Sequence, residues 1–435
     1  VYVAGGHSRV LAKWVQRDLS SSPAIVVTRQ PVELPDYLRA IAAERGVPIM
    51  VLDRQESILD RARRLRRLTQ GFDRVVLHHH PYDAVPAVAY AKPGGCAVLM
   101  FNHAHFWFSL GTGVADMIVN TEPYFRGLSE RFRFARATAL LIGPPNIQPL
   151  VLTDVDKRRA KSRIGLSPEQ PVVMTIGNEM YFQPVPGVDF FSTLAKLLSA
   201  RPDLQVLVVG VAENSPLVPA DILASGRVRL VGRVADPHPY YEAADLCLES
   251  FPMPSLGALV EAAAIGQAFP VPAFGEAETP ARVGLFLLRS FAVRQPTEAQ
   301  YIRYILQLID APEATAARAE ELRRFLVRQD QAFGDQFAPM YEAAEPLGHT
   351  PREIPPTEAS WAPENLVLAS MTDPKDVSEA LSVLLPLTRM GAAHAKALAL
   401  GYERPRDAAV SIGRRLFGRS FRRLPEGLRR HVRFW

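Results

Sequence analysis

VRLVGRVADPHPYYEAADLCLESFPMPSLGALVEAAAIGQAFPVPA, residues 228–273, alternates short apolar runs with helix-forming segments. VRLVG is an apolar run closed by Gly232, HPYYEAAD a short helix, and LCLES a buried strand. LGALVEAAAIG then reads as a helix ended by Gly266, and AFPVPA as the next strand. Strands that alternate with helices predict a parallel sheet of the doubly wound α/β class. Ligands of such sheets sit beyond the carboxyl ends of the strands, where helices begin. Here Pro252, Pro254, Ser255 and Gly257 make a loop that leaves a strand and opens a helix. The unbonded N–H groups and positive dipole end of that helix form an anion site suited to a diphosphate. Glu261, six residues past Ser255, lies about one and a half turns into the helix, on a face that can reach polar groups beside the diphosphate.

Outward from this stretch the alternation continues. The first half offers strands at Val1–Ala4, Ile25–Val27, Ile49–Leu52, Val75–His78, Ala97–Phe101, Met117–Asn120 and Leu140–Ile142, with helical segments such as Ser57–Thr69 between them. Gly143–Leu150 is a Pro-rich break. The second half runs Pro171–Gly177 (strand), Val188–Ala200 (helix) and Gln205–Gly210 (strand) into the opening stretch, followed by an amphipathic helix Pro312–Gln329. Pro312 stands at its first position, as helix starts favour. The segment Gln331–Ala344 reads as a helix returning to the first half. Four spans result: an N-terminal Rossmann-like domain (1–150), a second Rossmann-like domain (151–345), a Pro-rich linker (346–365) and a helical, Arg-rich extension (366–435).

The order of elements resembles the nucleotide-sugar-binding half of GT-B glycosyltransferases. The matching motifs are Gly232-Arg233-Val234, Ala244-Asp245, Glu261-Ala262 and Ala264-Ile265-Gly266. The resemblance covers roughly residues 1–345 and is specific in the second half, loose in the first. It implies an α/β fold of two Rossmann-like domains facing a cleft, 1–150 on the acceptor side and 151–345 binding the nucleotide sugar, here with a C-terminal helical basic extension. It also implies a hexosyltransferase-like enzyme. Its site residues would be the backbone N–H groups of Ser255, Leu256 and Gly257 on the diphosphate, and Glu261 on the ribose. No cofactor is expected, a nucleotide-diphosphate sugar serving as co-substrate.

Two departures stand out. The large retaining family usually carries a second Glu eight residues before the helix Glu, where this chain has Met253. The lead-in Ser250-Phe251-Pro252 is closer to peptide-modifying and O-GlcNAc-transferase-like members, so retention or inversion stays open. GT-B enzymes also usually place a basic pair after the first strand of the second domain, and Gly177–Pro184 contains none. Leaving-group charge is best stabilised by fixed cations and N–H dipoles. Arg233 and Arg282 are the substitutes, Arg233 the better placed.

Six of the ten histidines precede residue 110, each after a predicted strand: His7 in AGGHS, His78, His79 and His80 in RVVLHHHPYD, and His103 and His105 in FNHAHFW. Such loops should converge at the mouth of the crevice. Three readings are open. An imidazole can serve as acid or base near neutrality. By resemblance His103 points at the reacting sugar, with His105 next. Metal binding is the second reading, but no Cys or carboxylate cluster completes a site, so no metal is expected. The third is structural and is favoured for His78 and His79, whereas His80 is expected on the acceptor side. Gly5, Gly6 and His7 form a turn near the same mouth. Phe106, Trp107 and Phe108 suit either sugar stacking or core packing.

Bulk composition sets limits. Of 435 residues, 48% are apolar and 22% charged, which is globular and enough for two or three domains. Cys96 and Cys247, the only cysteines, lie in apolar runs and read as buried thiols without a disulfide framework. No apolar run reaches the roughly 20 residues a bilayer span needs. VYVAGG already reads as a strand, without an initiating Met or signal-peptide pattern, so the natural start is expected to have been removed or left out. The net charge of +5 is localised: residues 404–435 hold ten Arg against Asp407 and Glu426, a balance of +8 that leaves −3 for the remainder. This argues against nucleic-acid binding by the main fold. In the tail, Arg pairs beside Ile412, Leu416, Phe417, Phe421 and Leu424 favour an anionic membrane surface, with docking on a protein partner as the alternative.

Together these features predict a cytoplasmic glycosyltransferase, brought by its tail to the inner face of the membrane. Its partners would be a nucleotide sugar and a glycan, lipid-linked or protein acceptor, with no nucleic acid. The rival is a non-catalytic GT-B module that binds a nucleotide sugar or glycan as an assembly partner. A sugar-nucleotide epimerase on the same fold is a further, less favoured alternative.

Overall fold

The computed structural model describes residues 6–347, apart from 30–33, 82, 93, 104–108, 134, 144–150, 235, 256, 266–269, 273–290 and 292–293. The expected strand Val1–Ala4, the Pro-rich linker beyond 347 and the Arg-rich extension lie outside the described residues. The chain forms two compact units, one of Val1–Ile142 together with the chain from Phe333, the other of Gly143–Ala332.

In the first unit, β1 (Ile25–Val27) and β2 (Ile49–Val51) pair in parallel. A second parallel sheet holds β3 (Arg74–Leu77), β4 (Ala97–Phe101), β5 (Met117–Asn120) and β6 (Thr138–Leu140) in that order. The central strand β4 is AVLMF, buried at every position. Such an unbroken apolar run is what a parallel sheet covered on both faces requires. Its side chains alternate between two cores: Val98 and Met100 pack with Leu65 and Ile118, whereas Leu99 and Phe101 pack with Trp14 and Val119.

The return to this unit comes at Phe333, inside the 151–345 span read from sequence for the second domain. Phe333, Phe337 and Tyr341 join the core around Trp14. Trp14 Nε1 donates to Tyr341 Oη (2.9 Å), which donates to the buried carboxylate of Asp18 (2.6 Å). Gln336 clasps the point where the chain leaves the unit, accepting from Ile142 N (2.9 Å) and donating to Ile142 O (2.7 Å). Apolar rings and a side-chain amide thus draw this segment to the first unit.

In the second unit β7 (Val172–Ile176), β8 (Gln205–Val209), β9 (Val228–Gly232) and β10 (Leu246–Leu248) form one parallel sheet in the order β10-β7-β8-β9. The chain steps outward from β7 to β9, then crosses back to pair β10 on the other side of β7. The topological switch point therefore lies between β7 and β10. Asp245, from the Ala244-Asp245 motif, has a structural task here. It accepts from Val172 N (2.8 Å) and from the buried Lys161 (2.7 Å), tying the start of β7 to β10 and to the helix Asp154–Arg163. A short parallel pair, β11 (Val271–Pro272) and β12 (Arg294–Gln295), completes the described strands. Cys247 is buried and Cys96 only half-buried, and neither forms a disulfide.

Candidate active site

Three of the four strands of the second sheet end at or lead into glycines at their carboxyl ends. Gly177 follows β7, Gly210 follows β8, and Gly232 closes β9. Gly210 sits at φ +95°, where a Cβ would lie 2.2 Å from the Gly177 carbonyl oxygen. Only glycine fits there. Beyond Gly177, Asn178 Oδ1 accepts from Arg233 Nη2 (3.0 Å), joining the ends of β7 and β9. The expected substitute cation therefore reaches the position where the basic pair is missing from the sequence. Glu179, next along, accepts from the Ser215 hydroxyl.

Past β10 the chain turns through Glu249, Ser250 and Phe251, all buried, with a cis peptide between Phe251 and Pro252. Glu249 organises the turn. Its Oε1 accepts from Ser250 N (2.9 Å), Ser255 N (2.7 Å) and Ser255 Oγ (2.7 Å). Burial outweighs these bonds and pushes its carboxyl up to about 7. Ser250 Oγ donates to Met253 O (2.8 Å), and Met253 N donates to Tyr181 O (3.2 Å). The helix Gly257–Ala264 then begins, buried along Leu259, Val260 and Ala262–Ala264, with Glu261 half-buried.

In the first unit the histidines gather around Trp14 and Phe101. His7, in the helix Gly6–Arg17 that starts at Gly6, stacks on His103 with ring centroids 4.3 Å apart. His78 Nδ1 lies 3.0 Å from His103 Nε2, so one of the two nitrogens donates to the other. Trp14 meets His78 edge-on at 4.7 Å, and Phe101 stacks on it at 5.2 Å. Burial holds His7 down to about 4 and His78 down to about 3, so both rings are neutral at pH 7. The loop that presents His103 is fixed by a buried network: Asn102 Nδ2 donates to Asn120 Oδ1 (3.0 Å) and Ser129 Oγ (3.2 Å). His79 turns elsewhere and donates from Nε2 to Leu110 O (2.8 Å). His80, lowered by burial against the opposing pull of Asp83, is half-buried nearby in the chain.

No family model matches the chain. A D-inositol 3-phosphate glycosyltransferase of Segniliparus rotundus is 30% identical over 110 residues, 25% of this chain and about a quarter (24%) of that protein's length. Among solved structures, the Anabaena protein Alr3699/HepE, crystallised with UDP and glucose, superposes with a TM-score of 0.57 at 15% identity over 78% of this chain and 96% of its own. A mutant O-GlcNAc transferase of Thermobaculum terrenum gives 0.54 at 16% identity, over 78% of this chain and 64% of its own. The fold is GT-B.

On this GT-B fold, several site expectations change. The sequence reading turns the Ser255 amide toward a diphosphate, but that amide and the Ser255 hydroxyl both go to Glu249, a carboxylate of the chain itself. Leu256, His105, Arg282 and the Phe106–Phe108 aromatics lie outside the described residues. Gly257 does open its helix. Met253, standing where the retaining family has Glu, is buried. His78, read as a strand-end residue bonded to backbone, is instead the partner of His103. Glu249 was missed because it lies within the strand-like run LCLES. A lone charge closing a buried strand, followed by Ser, was the available signal. Among the described residues no group of three or more His, Cys, Asp or Glu is placed to hold a metal, and no helix is long and apolar enough to cross a membrane.

Proposed function

We propose that the protein is a glycosyltransferase that moves a sugar from a nucleotide-diphosphate donor to a glycan, lipid-linked or polypeptide acceptor. The observation that carries this reading is the switch-point edge of the second sheet on a GT-B fold. There a loop leaves β10, opens the helix Gly257–Ala264 and carries Glu261 on it, beside strand ends kept open by glycine. The donor diphosphate is assigned to the Leu256 and Gly257 amides, the ribose to Glu261, and leaving-group charge to Arg233, held by Asn178. Ser255 supports the loop from behind. The acceptor is assigned to the first unit, on the side of Gly6, His7 and His80, with His103 and His105 as the acid–base candidates. His103, fixed by His78 and the Asn102 network, is the better positioned for proton transfer. If the Arg-rich tail meets an anionic membrane, the acceptor is a lipid-linked or envelope glycan. If it docks on protein, a polypeptide acceptor follows.

A second reading has a specific observation in its favour. Asn178 and Glu179 follow β7 where a basic pair is usual, which suits a module that binds a nucleotide sugar with little turnover. Incubation with UDP-, GDP-, ADP- and dTDP-sugars, following thermal stabilisation and nucleotide release together, separates the two. Stabilisation with release supports the transferase, and His103→Ala should then cut release about a hundredfold while leaving donor affinity intact. Stabilisation without release, even with candidate acceptors present, supports the binding module.

A further inference from the structure

We infer that Glu249 is the positioning residue of the diphosphate loop and acts as the protonated acid, so that a nucleotide sugar binds together with a proton taken from solvent. The inference rests on the donor-site reading above. Three donors converge within 2.9 Å on one carboxyl oxygen, Oε1: the Ser250 amide, the Ser255 amide and the Ser255 hydroxyl, with the Ser250 hydroxyl, bonded to Met253 O, farther off at 3.4 Å. The other oxygen, Oε2, is enclosed and has no hydrogen-bond partner among the described residues. Among the described residues, the titratable groups facing the carboxyl are Tyr181 from the turn Glu179–Phe182, Cys247 from β10 and Tyr301 from the helix Glu298–Asp310. None of them is a cation. An ionised Glu249 would therefore leave half its charge on an oxygen that no described residue compensates, whereas a proton on Oε2 removes that charge and keeps the bonds to Oε1.

The loop geometry ties this carboxyl to the ligand. Gly257, which opens the helix, is two residues past Ser255, within about 7.6 Å along the chain. A diphosphate at that helix end and an ionised Glu249 beneath Ser255 would be two anions sharing one short loop, and each raises the cost of the other. Burial already pushes Glu249 up to about 7, so the free protein near neutrality holds both forms and the ligand selects the acid.

Calorimetric titration of the full chain with UDP-, GDP-, ADP- and dTDP-glucose tests this, since the diphosphate of a nucleotide sugar has no ionisation of its own near neutrality. Run in two buffers of different ionisation heat, the stabilising ligand should bind with uptake of about 0.7 proton at about pH 7.5 and almost none at about pH 5.5. Its affinity should fall about tenfold per pH unit once the pH is well above 7. Glu249→Gln, an uncharged mimic of the acid, should keep the affinity and lose both effects. Equal heats in the two buffers at about pH 7.5 would overturn the inference while leaving the donor site standing, and this result needs no variant. Failure of all four ligands to bind would overturn the donor-site reading itself, and the inference with it.

Discussion

The two units place titratable side chains, His78 and Glu249, at the same topological position, the carboxyl ends of parallel strands, yet burial acts on them with opposite sign. In the first unit it keeps imidazoles neutral by lowering them, His78 to about 3 and His7 to about 4. In the second it favours the neutral form of a carboxyl by raising it, Glu249 to about 7. Desolvation always disfavours the charged form, so bases go down and acids go up. The two candidate sites should therefore fail at opposite ends of the pH scale.

The largest expected effect follows from that difference. For the lowered histidines the unfolded chain binds more protons below its ordinary value of 6.5. Their contribution is complete above that pH and is lost as the pH falls toward 4 and 3. The rings are half-buried and keep some solvation, so the loss is on the order of 4 kcal/mol. For Glu249 the folded state holds the extra proton. Its contribution is complete below 4.5 and is lost as the pH rises through about 7, a cost of about 3 kcal/mol. Hydrogen exchange of the full chain from about pH 7 to about pH 4, corrected for intrinsic rates, should show protection falling around β4 and rising around β10. Parallel behaviour in both sheets would break the comparison.

The next effect sharpens it sterically. Gly210→Ala forces a Cβ onto the Gly177 carbonyl at a positive φ, so the second unit should lose about 3 kcal/mol or more with the first unaffected. Local exchange again reads this, and unchanged protection along β7 and β8 would contradict the close approach. In the first unit Asn102→Ala removes two buried hydrogen bonds and should cost about 2 kcal/mol there, checked by denaturant unfolding. Smallest in stability is Arg233→Ala. This exposed side chain should change unfolding by less than about 0.5 kcal/mol, yet weaken nucleotide-sugar binding roughly tenfold. Undiminished binding would remove Arg233 from the donor site.

The fold was largely legible because its signals are local. AVLMF at residues 97–101 announces a strand covered on both faces, and Gly177, Gly210 and Gly232 mark where strands must end. The partnerships were not legible, because they join positions remote in the chain. Trp14 meets Tyr341 across 327 residues, and Lys161 meets Asp245 across 84. No periodicity within a window carries such pairings. The same limit explains the site. Three adjacent histidines in one strand end differ in task only because His103 and Leu110 come within reach of different rings. Ser255 is a different case, since Glu249, which takes its amide and hydroxyl, lies only six residues earlier. Position after a strand was readable, whereas hydrogen-bond partner was not.

The account stands most directly on the assignment of the donor to the loop between β10 and the helix Gly257–Ala264. Hydrogen exchange of the full chain, with and without the nucleotide sugar that raises its melting temperature, locates that ligand. At a concentration of about 100 times Kd, peptides spanning Glu249–Ala264 should gain protection worth up to about 2.7 kcal/mol. Gains confined to the first unit, with these peptides unchanged, would contradict it.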